Sequence, residues 1–544
     1  MPKWLEDAVF YEIYPQTFYD TNGDGIGDFE GIIQKLDYIR GIGCNALWIN
    51  PCFDSPFKDA GYDVRDYKKT ASRYGTNEDL FRLFDEAHKR GIHVLLDLVP
   101  GHTSEEHAWF TESKKAEPNE YSNRYIWTDF WIKKAEGWFG SIGGEADRNG
   151  MYIVNFFKCQ PALNYGFLNP TESWQLPMDH PDSIATREAL KDIIRFWLSG
   201  SGSGRGCDGF RVDMANSLVK GDDEKWTGTS RIWQNIRQML DTEFPEAALV
   251  SEWSAPPQAI KAGFHMDFLL DHQGGGYNTL VRNYKMDYAT QVIEDDNSYF
   301  KKDGKGDITR FLDEYIPWYE STKNDGYISI ITGNHDTPRI SANLSPRELS
   351  LAYALFFTLP GVPFLYYGDE IGMRYLGRLK TKEGGFTRTG SRTPMQWLNT
   401  ASGVLPAGGV SGKNRGFSTA DEAKLYLPVD SSPDAPTVEA QEKDPGSLLN
   451  TVKALLRLRH AESDLQGKAN LKIIHADKAS PFIYRRGSFI LAVNPTGKAA
   501  EAPVRSGSNI STVANSKPVY AIGGGSIENG VCTLEAQSFG VWKL

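Results

Sequence analysis

Cysteine is sparse in this chain: Cys44, Cys52, Cys159, Cys207 and Cys532 are odd in number, and none are spaced Cys-x-x-Cys. That excludes a disulfide scaffold and a zinc ribbon, and it fits free thiols in a reducing, cytoplasmic compartment. No stretch approaches the roughly 18 consecutive apolar residues of a membrane span. The first seven residues hold no apolar signal core. Positive charge is in deficit as well. A net charge of −11 argues against nucleic acid or an anionic membrane surface and suits small neutral substrates. Repeats are missing. The one low-complexity tract, Ser199–Gly204, precedes a strand instead of opening a helix after one, so it reads as a surface turn and not as a phosphate cradle. Aromatics, by contrast, are plentiful at 12%, and such rings either fill cores or stack on sugar faces.

At 544 residues the chain exceeds a single core and requires two or three structural units. Eight apolar runs read as strands, at 8–15, 46–50, 93–99, 209–213, 248–252, 265–270, 328–332 and 363–367. Helical segments near 30–41, 77–90, 184–198 and 229–242 alternate with them. Continuous apolar runs separated by helices imply buried parallel strands, and eight of them fit a closed TIM (β/α)8 barrel better than an open sheet. Residues 103–178 are too long for a loop and read as a subdomain inserted after the third strand. From 468 to 544, short β runs between Gly, Ser, Asn and Pro turns predict a C-terminal antiparallel β domain of sandwich type. The barrel then takes residues 1–102 and 179–467.

A parallel barrel collects its chemistry at the C-terminal strand ends. Those positions hold Asp97 and His102, Arg211 and Asp213, Glu252, and His335 with Asp336. Within Gly209-Phe-Arg-Val-Asp213, residues i and i+2 share a strand face, so Arg211 stands beside Asp213 and favours its ionised form. An ionised aspartate is what a carboxylate nucleophile must be, and a retaining glycosidase needs a second carboxyl that holds a proton. The apolar neighbours Leu249, Val250 and Trp253 suit Glu252 to the second task.

Five ordered motifs carry a resemblance: Asp97-Leu-Val-Pro-Gly-His102, Gly209-Phe-Arg-Val-Asp213, Ser251-Glu252-Trp253, Gly333-Asn-His-Asp336 and Gly361-Val-Pro-Phe-Leu-Tyr-Tyr-Gly-Asp-Glu370. The set resembles the α-amylase superfamily (glycoside hydrolase family 13), in the branch of α-glucosidases, oligo-1,6-glucosidases, sucrose-active enzymes and trehalose synthases. The resemblance implies Asp213 as nucleophile, Glu252 as general acid/base and Asp336 as the carboxylate gripping sugar hydroxyls. It also implies that His102 and His335 hydrogen-bond the sugar, that Tyr62 stacks on it, and that Asp97, Arg211 and Arg339 complete the substrate site. Asp59-Ala-Gly-Tyr-Asp63 and Arg392-Thr-Pro-Met-Gln-Trp397 resemble motifs of exo-acting members, in which the positions of Asp59 and Arg392 pair to close the pocket. Gln160-Pro-Ala-Leu-Asn164 points to the oligosaccharide-active branch. The implied activity is retaining, exo-acting cleavage of α-glucosidic bonds in short malto- or isomalto-oligosaccharides. Glucosyl transfer or isomerisation, as in trehalose synthases, and endo-acting α-amylase activity remain as alternatives.

Asp20-Thr-Asn22-Gly-Asp24-Gly-Ile26-Gly-Asp28 matches an EF-hand-like loop at positions 1, 3, 5, 6, 7 and 9, but Gly31 stands where the closing glutamate belongs and Glu30 is one residue early. Relatives carry a similar loop, which implies one structural Ca²⁺ held by Asp20, Asn22, Asp24, Ile26 and Asp28. Gly101 and Ala162, at positions often Asn and Asp in the superfamily, argue against its interdomain calcium. Met214-Ala-Asn-Ser217 after the nucleophile lacks the Lys-His pair of many α-amylases, so linkage preference stays open.

Overall fold

The computed structural model describes residues 1–131, 140–272, 274–399, 412–479, 481–504 and 517–544. Eight parallel strands close into a barrel: β1 (Phe10–Ile13), β2 (Ala46–Ile49), β3 (His93–Leu98), β4 (Gly209–Val212), β5 (Ala248–Ser251), β6 (Met266–Leu269), β7 (Tyr327–Ile331) and β8 (Val362–Tyr366). All eight are the runs expected from the sequence. They read continuously apolar because side chains on one face fill the barrel while those on the other meet the helices. Inside, Phe10 and Phe364 stack at 4.2 Å, and Phe268 meets Phe364 edge-on at 4.8 Å, so the barrel is filled and not a pore. Close approach at the start of β4 requires glycine: Gly209 has φ +141°, and a Cβ there would lie 1.9 Å from the Ala248 carbonyl oxygen.

Helices α1 (Phe29–Ile42), α2 (Asn77–Lys89), α3 (Pro181–Leu198), α4 (Thr227–Glu243), α5 (Pro256–Lys261), α6 (Ile308–Thr322) and α7 (Pro346–Phe356) pack around the strands, and α8 (Leu448–Ala461) follows β8. Their starts are chemically marked. Asp28 caps α1, and capping boxes of Thr76 with Asp79 and Ser345 with Glu348 open α2 and α7.

After β3 the chain leaves the barrel to form the insert. Its small core of Ile126, Ile153, Ala162 and Phe167 is joined to the barrel by a bridge between His102 and Ala162. Beyond α8, strands 471–475, 482–486, 489–494, 538–543 and 520–522 form an antiparallel sheet facing a three-stranded one. Alternation decides its two faces: Phe482 and Tyr484 join the barrel core, while Ile483 packs with Trp542 and Cys532 in a separate core. Two buried arginines lie at the junction with the barrel, and the second, Arg486, ties this domain down. Arg459 of α8 donates to the carbonyls of Phe357, Leu359, Gly361 and Leu465, and Arg486 donates to those of Thr358 and Gln466.

Candidate active site

The expected side chains gather at the C-terminal ends of the strands, around a pocket lined by Asp59, Tyr62, His102, Asp213, Glu252 and Asp336. Asp213 ends β4 and stays latched to β3, since its N–H donates to the Leu98 carbonyl at 2.8 Å. Arg211, 1% exposed, serves three carboxylates at once. Its Nη1 donates to Asp97 Oδ1 (2.8 Å) and Asp213 Oδ1 (3.2 Å), and its Nη2 meets Glu252 Oε1 at 3.0 Å. The expected Arg211–Asp213 pair is present, and the arginine is shared with Asp97 and Glu252. Burial and the neighbouring Glu252 push the Asp213 carboxyl well above the usual range, against the pull of an arginine that is shared. Arg211 thus divides its charge among three carboxylates, two of which, Asp213 and Glu252, face the pocket.

Backbone strain marks the same places. Ala60, Met214 and Ser254 adopt φ of +51°, +41° and +59°, and each lies within two residues of Asp59, Asp213 or Glu252. The turn at Met214 is closed by Glu252 Oε2, which accepts the Met214 N–H at 2.9 Å. Behind the turn at Ser254, Asp267 of β6 accepts from Ser251 Oγ (2.6 Å), Trp253 N–H (3.2 Å) and Ala255 N–H (2.7 Å), fixing the segment that carries Glu252.

Asp336 differs from Asp213. Burial alone would raise it, but His335, Arg392 and Arg388 together hold it well below the usual carboxylate range. Its Oδ1 accepts from Arg392 Nη2 (2.7 Å) and Arg388 Nη1 (3.1 Å), and its Oδ2 lies 3.4 Å from His335 Nε2. Tyr62 stacks on His335 at 5.5 Å, and its hydroxyl contacts His335 Nε2 (2.7 Å) and Asp97 Oδ2 (3.1 Å). Burial pushes Asp97 up to about 6 despite Arg211. It pushes His102 down to about 3, so that ring is neutral; Nε2 donates to the Tyr62 carbonyl at 3.1 Å and Nδ1 accepts from Asn155 Nδ2 at 3.0 Å.

Two expected placements are corrected. Asp59 and Arg392 do not pair. Arg392, 1% exposed, is spent on Asp336 and on the His335 carbonyl (2.8 Å). The partner of Asp59 is Arg388, four residues earlier on the turn 386–391, whose Nη2 lies 3.4 Å from Asp59 Oδ1. Gln160 Nε2 donates to the other oxygen at 2.8 Å. Arg388 thus ties Asp59 to Asp336 across one side of the pocket. Burial pushes Asp59 up to about 6 even so. Arg339 lies away from the pocket, fully buried, donating to Asp369 Oδ1 (2.9 Å) and the Tyr367 carbonyl (2.8 Å). It braces the segment after β8 instead of meeting a substrate.

Lining residues not foreseen include Arg388, Phe156, Leu270 and His272. Arg388 stands outside any motif, and the rest come from loops whose path only the fold reveals. Glu12 was also missed. It is a lone acid in the apolar run Phe10–Ile13, visible as such, and it contacts His335 Nδ1 at 2.9 Å.

The loop 20–28 wraps its carboxylates around its own backbone. Asp20 accepts from the N–H groups of Asn22, Gly23 and Gly25, Asp24 from that of Ile26, and Asp28 from those of Thr21 and Gly31. Asp20 and Asp28 are 4% and 6% exposed, and the charge of Asp20 adds to the burial that raises Asp28. Among the described residues none of the three aspartates has an ion-pair partner, and no three His, Cys, Asp or Glu side chains converge as a finished metal cage. Neighbouring buried carboxylates without a cationic side chain fit a hard cation.

Residues 12–467 match the alpha amylase catalytic domain. The chain belongs to the alpha-amylase family. It is 31% identical over 508 residues to a trehalose synthase/amylase of Mycobacterium tuberculosis, covering 84% of this chain and 75% of that protein. With an oligo-1,6-glucosidase of Heyndrickxia coagulans it shares 29% identity over 548 residues, covering 89% and 90%. An isomaltulose synthase variant from Erwinia rhapontici, solved with D-glucose, superposes with a TM-score of 0.78 at 25% identity over 100% of this chain and 99% of that one. Membership in this family makes the protein a glycosidase-type enzyme with a (β/α)8 barrel and a C-terminal β domain. No helix among the described residues is long and apolar enough to cross a membrane.

Proposed function

We propose that the protein cleaves α-glucosidic bonds of short malto- and isomalto-oligosaccharides from the non-reducing end, with retention, through a covalent glucosyl-enzyme. One observation carries this reading: Asp213 and Glu252 sit on the two Nη atoms of one guanidinium, at a pocket whose side is closed by the Asp59–Arg388–Asp336 bridge. Carboxylates so paired suit the separation of about 5–5.5 Å that a retaining mechanism uses. Asp213 attacks the anomeric carbon while Glu252 protonates the departing oxygen. In the second step Glu252 takes a proton from the incoming water as that water attacks the glucosyl-enzyme and frees Asp213. Asp336, kept anionic, binds sugar hydroxyls and the developing positive charge. His102 and Tyr62 border the same sugar.

The relatives also favour a second reading, in which the glucosyl group passes to a sugar instead of water, since those named above include a trehalose synthase and an isomaltulose synthase. A maltotetraose time course separates the two. Glucose and maltotriose are expected first, and Asp213→Asn should abolish both. Trehalose or lengthened sugars would establish transfer. Maltose without glucose would overturn the exo assignment.

The loop 20–28 is proposed to bind one Ca²⁺ through Asp20, Asn22, Asp24, the Ile26 carbonyl and Asp28, away from the reacting bond. Cytoplasmic residence belongs to the same proposal, supported by five unpaired thiols.

A further inference from the structure

We propose that Glu12 acts as a hydrogen-bond donor to His335 Nδ1, and that this donor fixes the tautomer through which His335 presents an N–H to Asp336 and the bound sugar. The inference rests on the glycosidase reading. Glu12 lies on β1, fully buried, in register with Trp48 and Tyr366 of the neighbouring strands. Its Oε1 is 2.9 Å from His335 Nδ1 and accepts from Asn50 Nδ2 at 3.2 Å. Its Oε2 has no hydrogen-bond partner among the described residues.

The charges around the imidazole favour one arrangement. Asp336 is held anionic by two arginines, so it can only accept, and the His335 atom facing it, Nε2, carries hydrogen. Tyr62 fits this: with its hydroxyl donating to Asp97 Oδ2 at 3.1 Å, its oxygen is free to accept from Nε2 at 2.7 Å. Burial pushes His335 well below its ordinary value, with Arg392 and Arg211 adding to the push against the opposing charge of Asp336, in keeping with a neutral ring whose Nδ1 is bare. Asn50 Nδ2 also approaches Nδ1 at 3.1 Å, but the nearer atom is Glu12 Oε1 at 2.9 Å, where an anionic oxygen would meet the Nδ1 lone pair and a protonated one donates to it. Burial raises Glu12 strongly, and Asp336 and Asp97 add to it against Asn50 and Arg211, in keeping with a neutral acid. A carboxylate would also leave its charged Oε2 bare in the barrel interior. Glu12 is thus a positioning residue, acting through His335.

The test compares Glu12→Gln with Glu12→Leu. A glutamine amide can donate to Nδ1, so Glu12→Gln should keep at least about a fifth of kcat/KM with an unshifted pH profile. Glu12→Leu removes the donor and should lose about 10- to 100-fold, the range for losing a group that orients a functional side chain. Glu12→Gln falling as far as Glu12→Leu, or moving either limb of the profile, overturns the inference, because an anionic Glu12 would then be the working form. Neutron diffraction reads the same proton without relying on activity or on the leucine variant folding. Deuterium on Glu12 Oε1 and His335 Nε2 is expected, and deuterium on Nδ1 beside a bare Oε1 refutes it. A wild-type enzyme that cleaves no α-glucoside would instead refute the glycosidase reading, with the neutron result still deciding the role of Glu12.

Discussion

Arg388 does the work that sequence motifs assign to Arg392. It spans Asp59 and Asp336 with its two Nη atoms, so the wall of the pocket and the carboxylate proposed to grip the sugar share one cation. Arg388→Ala should therefore strike twice, raising KM for maltose and lowering kcat/KM by about 100-fold, of the order expected when a desolvated charge loses its partner. It should also weaken the preference for short substrates, read as the ratio of kcat/KM on maltose to that on soluble starch. Arg388→Lys should recover little, because an ammonium cannot reach two carboxylates as a planar fork does. An unchanged ratio would remove Arg388 from the wall. The motif around Arg392 was legible, but its partner was not. Which carboxylate a buried arginine meets depends on where a 3₁₀ turn sets its side chain, and no local pattern encodes that. Glu12 shows the converse: the residue is conspicuous, and its partner, more than three hundred positions away, is invisible.

Elements were easier to read than contacts. All eight barrel strands were visible because strands buried on both faces keep few polar residues, and the polar ones that break the pattern at strand ends are the site itself. Strand order followed from closure. The link between the first strand and first helix was legible as an acidic, glycine-rich turn, proposed above to hold Ca²⁺, and its structure adds that Asp20 also accepts from Ser418 Oγ at 2.5 Å, tying the loop to the segment after the barrel. With Ca²⁺ bound, chelation by EGTA should lower the Tm, and Asp20→Asn should abolish that dependence. A Tm indifferent to both would refute the site. Asp267 illustrates what element-level reading misses. Burial pushes it up to about 7 although it accepts from the turn behind Glu252, a debt visible only once β5 and β6 are side by side.

Across the whole molecule, chemistry and anchoring occupy opposite ends of the barrel. At the N-terminal end Asp208, just before β4, bonds His88 Nε2 of α2 (2.7 Å) and His93 Nδ1 of β3 (2.9 Å). Against the push of burial, the two histidines hold Asp208 down to about 2, and the bond to Asp208 raises His88 above 6.5. A carboxyl depressed from 3.8 to about 2 contributes stability present above about 4 and lost as pH falls towards 2, worth roughly 2 kcal/mol. The raised histidine adds the opposite limit: its share is complete below about 6.5 and fades as pH rises through its folded value. Asp208→Asn should lower the Tm by a few degrees, most between pH 4 and 6.5, with kcat retained. A loss that is flat across pH 3–9 would assign Asp208 a packing role instead.

The arginines beneath β8 have a bearing on how the chain can be cut. Arg486 belongs to the C-terminal sheet, yet the carbonyls it satisfies, of Thr358 and Gln466, belong to the barrel. A gene shortened at 467 would keep every catalytic side chain and lose this donor, leaving buried acceptors unanswered at the root of a barrel strand. Composition changes at 468, but cooperativity does not. Transplanting the active site into another scaffold, or trimming it to a minimal catalyst, would have to carry the β domain along as foundation.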